Sequence, residues 1–523
     1  MVQYLLPKLL YVCLYGVLGS AIPYLSIFYA EKLHLQSQQI GIILAIAPFV
    51  QSLACPFWTM QVDKRPHRHG AFMAALMLIG GLSIVAMMFI PILFGGGDGG
   101  RPSSILAITI SLAISFAFFG QPVTVLVDSA VLKILGDNAI YYGDQRLWGS
   151  VSNGVNILVV GYVIGQLGIN YAFYIFAISV TCFIITALCT TVTTSDGSNV
   201  TNADTEREPL LNAAHNNNNK QMRGYYAADP TVDNFINEIE RMNSTASSRA
   251  NTILVEGDQN LLALQRTTTS IAVRDVQDEA SLVMEHMDSL PPLGLALSQI
   301  PTVDSSLAAF ATVVEATTEE ELAVKTLGST IFGSVQVWTF LITALCFGLL
   351  YSMVAQFLFL FFKQDLGLNA SVMGWTGPLG GVTEVATFYF SRALLKKFDV
   401  STLLTCSHLT IVVRNLAYKA LVPNESATLW FALALQLLSG FAFALTWSTC
   451  VSEVDQMFPD HQRAIAQGVL AALFSGLGYG FGSILGGYVF DNYGAQSLFD
   501  ASITISLVSL VIFWLGRIKR VSS

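Results

Sequence analysis

Long apolar runs alternate with short polar connections along most of the 523-residue chain. An α-helix needs about 20 predominantly apolar residues to cross the hydrocarbon of a bilayer, and runs of that length predict about twelve membrane-spanning helices. They fall into two sets of six. The first set is predicted at 5–29, 38–60, 71–94, 104–134, 146–167 and 171–193, and the second at 336–361, 371–393, 401–421, 427–452, 463–488 and 497–516.

A polar segment at 194–330 separates the two sets of apolar runs. It is rich in Asn, Ser and Thr, with "HNNNN" as its low-complexity extreme. This composition buries too little apolar surface to offset chain entropy, and it predicts a largely disordered linker. The sequence therefore predicts an all-α membrane protein with an N-terminal six-helix half at 1–193, a linker at 194–330 and a C-terminal six-helix half at 331–523.

Composition supports this fold class and narrows the function. The chain is 53% hydrophobic and 12% charged, against roughly 25% charged residues in soluble domains. The net charge of -9 comes mainly from the linker and offers no basic surface for a nucleic acid. The sequence has no Walker motif, and its cysteines form no CxxC pair. We therefore expect no enzymatic activity, no cofactor and no metal.

The basic residues of the short connections predict the orientation of the helices. One set of connections is rich in Lys and Arg and the opposite set is poor in them, so the rich side is predicted to be cytoplasmic. Both termini and the linker then also lie in the cytoplasm. The cytoplasmic set contains Lys64, Arg65, Arg68, Lys133, Lys396, Lys397, Arg463, Arg517, Lys519 and Arg520, and the opposite set contains Lys32, Arg101, Lys363 and Lys419.

The two sets of runs are related by an internal repeat. "DQRLWGSVSNGVNILVVGYVIG" at the fifth run aligns with "HQRAIAQGVLAALFSGLGYGFG" at the eleventh. Gly41 precedes Lys64 by the same interval that separates Gly374 from Lys397. A six-helix duplication of parallel topology is typical of transporters that close two similar bundles alternately around a central site.

The connection after the second run, "WTMQVDKRPHRHG", resembles the cytoplasmic loop motif of the major facilitator superfamily. Together with "YYGDQRLWGS" and "GLGYGFGSILGGYVFDNYG", it is similar to the branch that contains lactose permease and the nucleoside:proton symporters. The resemblance covers both membrane halves and omits the linker. It implies the major facilitator fold, alternating access and a substrate site between the halves.

Asp128 is a carboxylate within the fourth apolar run, where a charge costs about 2.5–3.5 kcal/mol on insertion scales. Arg146 on the next run enters from the same side, and pairing the two lowers the burial penalty of each. The resemblance implies that this pair binds substrate hydroxyls, with Asn153 at a position where the permease has a tryptophan. A structural ion pair or a cytoplasmic gate latch are the alternatives.

Glu384 and Arg414 are the corresponding charges of the second half, each within an apolar run. The resemblance places Arg414 at a permease arginine and Glu384 about one turn from a permease glutamate. The permease's coupling residues on the tenth run are replaced near Gln436, Ser439 and Ala442, which argues against galactoside specificity. If protons drive this protein, Glu384 or Asp128 must carry them. The alternative for both residues is a structural role.

Two further groups of residues have predicted roles away from the pocket. Charges at the cytoplasmic rim are expected to act as latches between helices and between halves: Asp63, Lys64, Arg65, Glu453, Asp455 and Arg463. In the linker, "EREPLL" fits the acidic dileucine pattern through Glu206, Leu210 and Leu211. That pattern predicts recognition by sorting adaptor complexes and residence in the plasma membrane or a vacuolar or lysosomal membrane. A chance occurrence is the alternative.

The sequence thus predicts a secondary active transporter that moves a small polar solute by alternating access, with protons as the coupling ion. A receptor or scaffold that binds a ligand and signals through the linker without flux is the alternative of another class. Facilitated uniport differs from the main prediction in coupling alone.

Overall fold

The structure is a computed structural model of the chain, and it describes residues 5–94, 102–135, 142–190, 334–423, 426–458 and 460–518. The predicted linker at 194–330, with its dileucine motif, lies outside the described residues, and the predicted boundaries of the three regions stay predictions. All of the described residues belong to one compact unit. All the regular elements of the described residues are helices.

The first half contains six long helices whose bounds follow the predicted runs closely. They are α1 (Leu5–Glu31), α2 (Ser37–Asp63), α3 (His69–Met87), α4 (Ser103–Leu135), α5 (Tyr142–Leu167) and α6 (Tyr171–Leu188). Two of them contain a local irregularity. A 3-10 turn at Ile22–Tyr24, which contains Pro23, lies in α1, and a π-helical turn at Phe116–Gly120 lies in α4. Such turns re-aim the second part of a helix without ending it.

The second half repeats this arrangement. Its helices are α7 (Val335–Gln364), α8 (Thr376–Lys397), α9 (Val400–Lys419), α10 (Ser426–Met457), α11 (460–493) and α12 (495–518). Gly494 alone separates α11 from α12, with φ 78° and ψ 176°. A short helix, Ala370–Met373, precedes α8.

Length and apolarity identify 10 candidate membrane spans among the described residues. One of them, Ile465–Arg517, contains both α11 and α12. α8 is not among the 10, although it has 22 residues, because Glu384, Arg392, Lys396 and Lys397 lower its apolarity. With the division at Gly494 and the addition of α8, the described helices account for the twelve predicted crossings. The chain is an integral multi-pass membrane protein.

The turns between helices make the repeat visible in the backbone. The turn from α1 to α2 has His34 at φ 51°, and the turn from α7 to α8 has Gly367 at φ 66°. In each turn the next residue donates its N–H back to the end of the helix, Leu35 to Tyr29 at 3.1 Å and Leu368 to Phe362 at 2.8 Å. The two halves therefore share a backbone turn even where the residue type differs.

Small residues bring the two halves into backbone contact. A Cβ placed on Gly41 of α2 would lie 2.5 Å from the carbonyl oxygen of Ser483 on α11. A Cβ on Gly161 of α5 would lie 2.7 Å from the Cα of Gly374, just before α8. Helices approach this closely when glycine removes the side chain between them. The interface between the halves is thus formed by α2 with α11 and by α5 with α8.

An ion pair and a hydrogen bond join the two halves at one end of the bundle. We call this the distal end; the opposite end, which carries Lys64 and Lys397, is the basic end. At the distal end Lys363 pairs with Glu31 at 3.5 Å, and Asp491 accepts from the backbone N–H of Ser37 at 3.0 Å. The distal end is closed in this structure.

Candidate functional site

Asp128 and Arg146 form a buried ion pair between α4 and α5. Asp128 is 2% exposed. Nη1 of Arg146 donates to Oδ1 of Asp128 at 2.9 Å and to Oδ2 at 3.0 Å. The two helices are antiparallel and joined near the basic end, so the two groups reach the same depth, as their spacing predicts. A charged pair with several hydrogen bonds recovers much of its desolvation penalty.

Three tyrosines complete the surroundings of this pair. The hydroxyl of Tyr11 donates to Oδ1 of Asp128 at 2.6 Å. Nη2 of Arg146 donates to the hydroxyl of Tyr15 at 3.0 Å, and Nη1 reaches the hydroxyl of Tyr142 at 3.4 Å. These hydroxyls convert an isolated ion pair into a hydrogen-bonded network. We call these five residues the N-half cluster.

Sequence reasoning missed the tyrosines. Tyr11 and Tyr15 are one helical turn apart in the first apolar run, so they share a face of α1. Within an apolar run, aromatic side chains are ordinarily interpreted as core. Two tyrosines on one face of a predicted membrane helix could have indicated a nearby polar group, because a buried tyrosine hydroxyl needs a polar partner.

Arg414 on α9 is buried in a different way. It is 1% exposed, and its guanidinium carbon lies 5.3 Å from the centre of the Tyr418 ring. Its Nε has no hydrogen-bond partner. Among the described residues, Arg414 forms no ion pair. A buried guanidinium of this kind is stabilised by an aromatic face and keeps an unused donor.

Neutral polar groups surround Arg414. Nε2 of Gln436 donates to the Tyr418 hydroxyl at 2.6 Å. The hydroxyls of Tyr351 and Ser439 lie 3.3 Å apart. Gln436 and Ser439, which the resemblance predicts to lie near the permease's coupling positions, contact the hydroxyls of Tyr418 and Tyr351 in this structure. We call Glu384, Arg414, Tyr351 and Tyr418 the C-half cluster.

Glu384 on α8 connects the two clusters electrostatically. Its side chain is partly buried, and Arg146 of the opposite half is the charged group that acts on it. Tyr351 lies within electrostatic reach of both Glu384 and Arg414. Tyr479 on α11 is also within electrostatic reach of Glu384. α8 packs against α5 of the first half and α10 of the second, and among the described residues Glu384 forms no ion pair.

Asn153 lies two turns beyond Arg146 on α5. A Cβ built on Gly19 of α1 would lie 2.9 Å from its side-chain oxygen. Asn153 therefore packs against α1 in the first half, and no described contact joins it to the ion pair. Its predicted role in substrate binding stays a prediction.

The predicted latch residues form pairs within each half at the basic end. Nζ of Lys133 donates to Asp63 at 2.7 Å. Arg517 pairs with Glu453 and donates to Ser401 at 2.8 Å. Such pairs connect neighbouring helices, α2 with α4 and α10 with α12 and α9.

The other latch residues lie nearby. Asp455 accepts from Gln467 on α11 at 2.7 Å. Lys64 and Arg65 are exposed at the end of α2. The side chain of Arg463 lies outside the described residues, and latching between the halves stays a prediction.

Chemically, the described residues of the two clusters offer carboxylates, guanidiniums and phenolic hydroxyls. This set can hold a polar solute and exchange protons. In the described part of the chain no group of three or more His, Cys, Asp or Glu residues is placed to hold a metal ion.

Comparison with known proteins identifies the family to which the sequence is similar. The sequence profile of the MFS_1 like family matches residues 4–501. The chain is 28% identical over 164 residues to the uncharacterized transporter YwbF of Bacillus subtilis, covering 31% of this chain and 38% of that protein. It is 29% identical over 179 residues to major facilitator superfamily domain-containing protein 6-like protein B of Xenopus laevis, covering 34% and 28%.

These alignments thus cover well under half of each curated relative. A solved structure is similar over nearly the whole length. The crystal structure of the nucleoside transporter NupG superposes with a TM-score of 0.61 at 13% identity, covering 99% of this chain and 98% of that one. At this identity the likeness establishes the fold alone.

Proposed function

The chain belongs to the MFS_1 like family, and from that premise we propose that it is a secondary active transporter. It moves a small polar solute by alternating access, with protons as the coupling ion. One observation carries the proposal: two similar bundles meet in backbone contact at Gly41 and Gly161, and each buries charged side chains within its membrane-spanning helices. A site shared by two bundles changes its geometry whenever the bundles move, which is the requirement of alternating access.

The N-half cluster is the proposed binding surface for the solute. Arg146 presents a planar donor fork, and Asp128 presents acceptors held in place by Tyr11. A polar solute that displaces one of these contacts replaces it with another of the same kind. The fixed geometry favours hydroxyl groups, which both donate and accept.

Glu384 is the proposed proton carrier, with Asp128 as the second candidate. A carboxylate within a membrane helix marks a proton or ion pathway by default, because its charged form is expensive there. Asp128 accepts hydrogen bonds from Arg146 and Tyr11, and its protonation would disturb both contacts. Glu384 has no ion pair among the described residues, so its charged form receives less support.

The closed distal end defines the conformational state. Contacts between the halves run from Glu31 and Lys363 at that end to Ser52 and Gly154 near the middle of α2 and α5. If the basic end is cytoplasmic, as its charges predict, the structure corresponds to a state closed toward the outside. We propose that the Asp63–Lys133 and Glu453–Arg517 pairs stabilise the basic end of each half during closure.

Transport by the full chain reconstituted in liposomes tests the proposal. A panel of sugars, nucleosides, amino acids and organic acids is offered with and without an inward proton gradient. We expect accumulation of one class that depends on the gradient and is abolished in Asp128→Asn. Asp365→Asn is the matched control, because it removes a carboxylate in the turn after α7, outside the two clusters. Partial burial raises the pKa of Asp365, so this control also tests a carboxyl group that takes up a proton more readily than a fully exposed one.

Three results contradict parts of the proposal. Binding of a ligand without flux in any condition supports the receptor or scaffold. Flux that ignores the proton gradient supports facilitated uniport. Full gradient-driven accumulation by Asp128→Asn removes the role assigned to the ion pair.

Location in the cell is proposed from the linker motif. We expect sorting adaptors to bind at Glu206, Leu210 and Leu211 and to direct the protein to a vacuolar or lysosomal membrane. Replacement of Leu210 and Leu211 by alanine then moves a tagged chain to the plasma membrane. An unchanged distribution contradicts the motif.

A further inference from the structure

Arg414 and Glu384 point to the chemical class of the transported solute. We propose that the solute is a small hydroxylated carboxylate, and that it binds at Arg414 when Glu384 carries a proton. The inference rests on the proposed transport function of the same site. It adds the charge of the solute and the reason why a proton accompanies it.

The first step concerns Arg414. Its guanidinium is 1% exposed and keeps an unpartnered Nε. Its neighbours Tyr418, Gln436 and Tyr351 are neutral, and no described carboxylate pairs with it. A buried cation without a counter-ion is costly unless a ligand supplies the opposite charge. A carboxylate matches the fork geometry of guanidinium and binds in a charge-assisted manner.

The second step concerns the charge of the whole site. With both carboxylates ionised, Asp128 and Glu384 balance Arg146 and Arg414, and the site is neutral. Protonation of Glu384 leaves one positive charge, because Asp128 stays paired with Arg146 at 2.9 Å. A site with one excess cation attracts an anion in a low-dielectric interior. Proton and anion thus stabilise each other, which is the requirement for symport.

The third step concerns what faces Glu384. The groups that act on it are Arg146 on α5, Tyr351 on α7 and Tyr479 on α11. Arg146 is already hydrogen-bonded to Asp128 and Tyr15, so it is not free to form a full pair with Glu384. The tyrosines are neutral. Glu384 is therefore the carboxylate of the site whose protonation breaks the fewest described contacts.

The fourth step concerns the rest of the solute. The hydroxyls of Tyr11, Tyr15 and Tyr142 surround the ion pair of the first half. They present donors and acceptors to an uncharged polar group. A solute that bridges the two clusters therefore has a carboxylate at one end and hydroxyls at the other, as a sugar acid does.

Matched pairs of probes test the charge directly. The purified full chain is heated with D-glucuronate or D-glucose, with D-gluconate or sorbitol, and with lactate or propane-1,2-diol. A ligand that binds the folded state raises the melting temperature by mass action. We expect stabilisation by at least one carboxylate and not by its uncharged partner, stronger at about pH 5.5 than at about pH 7.5 as proton linkage requires.

Two variants locate the effect. Glu384→Gln resembles the protonated residue, so its affinity for the carboxylate should be high and equal at both pH values. Arg414→Met should lower the affinity by at least about tenfold, the range expected for loss of one charge-assisted contact. Arg68→Met, at an exposed position of the basic end, is the matched control and should bind as the original chain does. If Arg414→Met does not fold, Glu384→Gln decides.

The proposal is overturned if no carboxylate of the panel binds, if the uncharged partners bind equally, or if Glu384→Gln retains the original pH dependence. The transport function is judged separately. An uncharged solute that binds and moves, and that requires Asp128, removes the anion proposal and leaves the transporter. Absence of flux for every class in the liposome assay removes both.

Discussion

The two halves share a fold and differ in how they accommodate buried charge. In the first half Asp128 is 2% exposed and accepts hydrogen bonds from Arg146 and Tyr11. In the second half Arg414 is 1% exposed and retains a free Nε, and Glu384 has no ion pair among the described residues. The ion pair between Asp128 and Arg146 has its hydrogen bonds filled by neighbouring side chains, so we expect its interaction energy to change little during the transport cycle. Buried or partly buried charges that lack an ion-pair partner among the described residues, such as Glu384 and Arg414, are expected to respond to a proton or a ligand.

This difference gives a physical reason for the duplication. Two identical bundles with satisfied pairs would close around a site that neither proton nor solute could change. Buried ionic groups contribute little net stability and are better explained by specificity or switching. The C-half cluster therefore carries the coupling, and the N-half cluster holds the solute in place.

The largest expected effect is loss of the satisfied pair. Asp128→Ala leaves Arg146 buried without its counter-ion, which destabilises a protein by about 3–5 kcal/mol. Thermal unfolding in mild detergent measures the change. Asp63→Ala is the matched control, because the Asp63–Lys133 pair is 40% and 33% exposed and such pairs contribute about 0–1 kcal/mol. If Asp128→Ala and Asp63→Ala lose the same amount of unfolding free energy, the buried Asp128–Arg146 pair is no more important for stability than the exposed Asp63–Lys133 pair, and the account is contradicted.

A smaller loss is expected from Tyr11→Phe. The change removes one hydrogen bond to Asp128 and leaves intact the two contacts that Nη1 of Arg146 makes with its carboxylate oxygens. A hydrogen bond to a charged group contributes about 1.5–3 kcal/mol. Unfolding of Tyr11→Phe and Tyr29→Phe is compared, since the Tyr29 hydroxyl contacts the sulfur of Met87, a weak acceptor. The account is wrong about the network if the second variant loses more stability than the first.

The interface between the halves is tested at Gly161. An alanine there would place Cβ 2.7 Å from the Ala370 carbonyl oxygen and from the Cα of Gly374. Overpacking of this kind costs about 1–3 kcal/mol. We expect lower stability and impaired closure of the distal end, measured by labelling of a cysteine introduced there. Gly381→Ala on α8 meets nothing within 4 Å and should leave both unchanged; if it behaves like Gly161→Ala, the contact is not the cause.

The smallest effect on stability is expected for Arg414→Met, the variant that is predicted to lose affinity for the carboxylate solute. Arg414→Met replaces a buried cation that has no counter-ion, so the loss of the cation–π contact is offset by the relief of desolvation. We expect a change in unfolding free energy within about 1 kcal/mol. Destabilisation as large as that of Asp128→Ala would show that Arg414 is a structural charge, and the comparison between the halves would fail.

Sequence periodicity predicted the helices because twenty-residue apolar runs have few alternative structures in a membrane protein. It placed Arg146 at the depth of Asp128, since neighbouring antiparallel helices convert spacing into depth. It separated the eleventh and twelfth runs at 489–496, whereas in the structure the helical backbone is interrupted at Gly494 alone, because polar residues such as Asp491 and Asn492 can extend a helix beyond its apolar part. It also did not reveal that α8, which carries Glu384, packs against α5, which carries Arg146, because that contact depends on how two bundles distant in sequence pack.

The tyrosines show a second limit. Tyr11, Tyr15 and Tyr351 lie in runs where hydrophobicity dominates, and their hydroxyls gain meaning from partners on other helices. For the charged residues at the basic end, the sequence predicted the location but not the partner. Asp63 and Glu453 were predicted as latches from their position at the rim, and the described pairs connect helices within each half. Position along a helix predicts depth, and it does not identify the partner.

The most direct test of the account compares two modes of transport in Glu384→Gln. Liposomes with the solute identified in the panel are used for exchange without a proton gradient and for accumulation driven by one. The account predicts that Glu384→Gln keeps exchange and loses gradient-driven accumulation, because the site binds solute while its charge no longer changes. Gradient-driven accumulation at the level of the original chain would contradict the assignment of coupling to the C-half cluster.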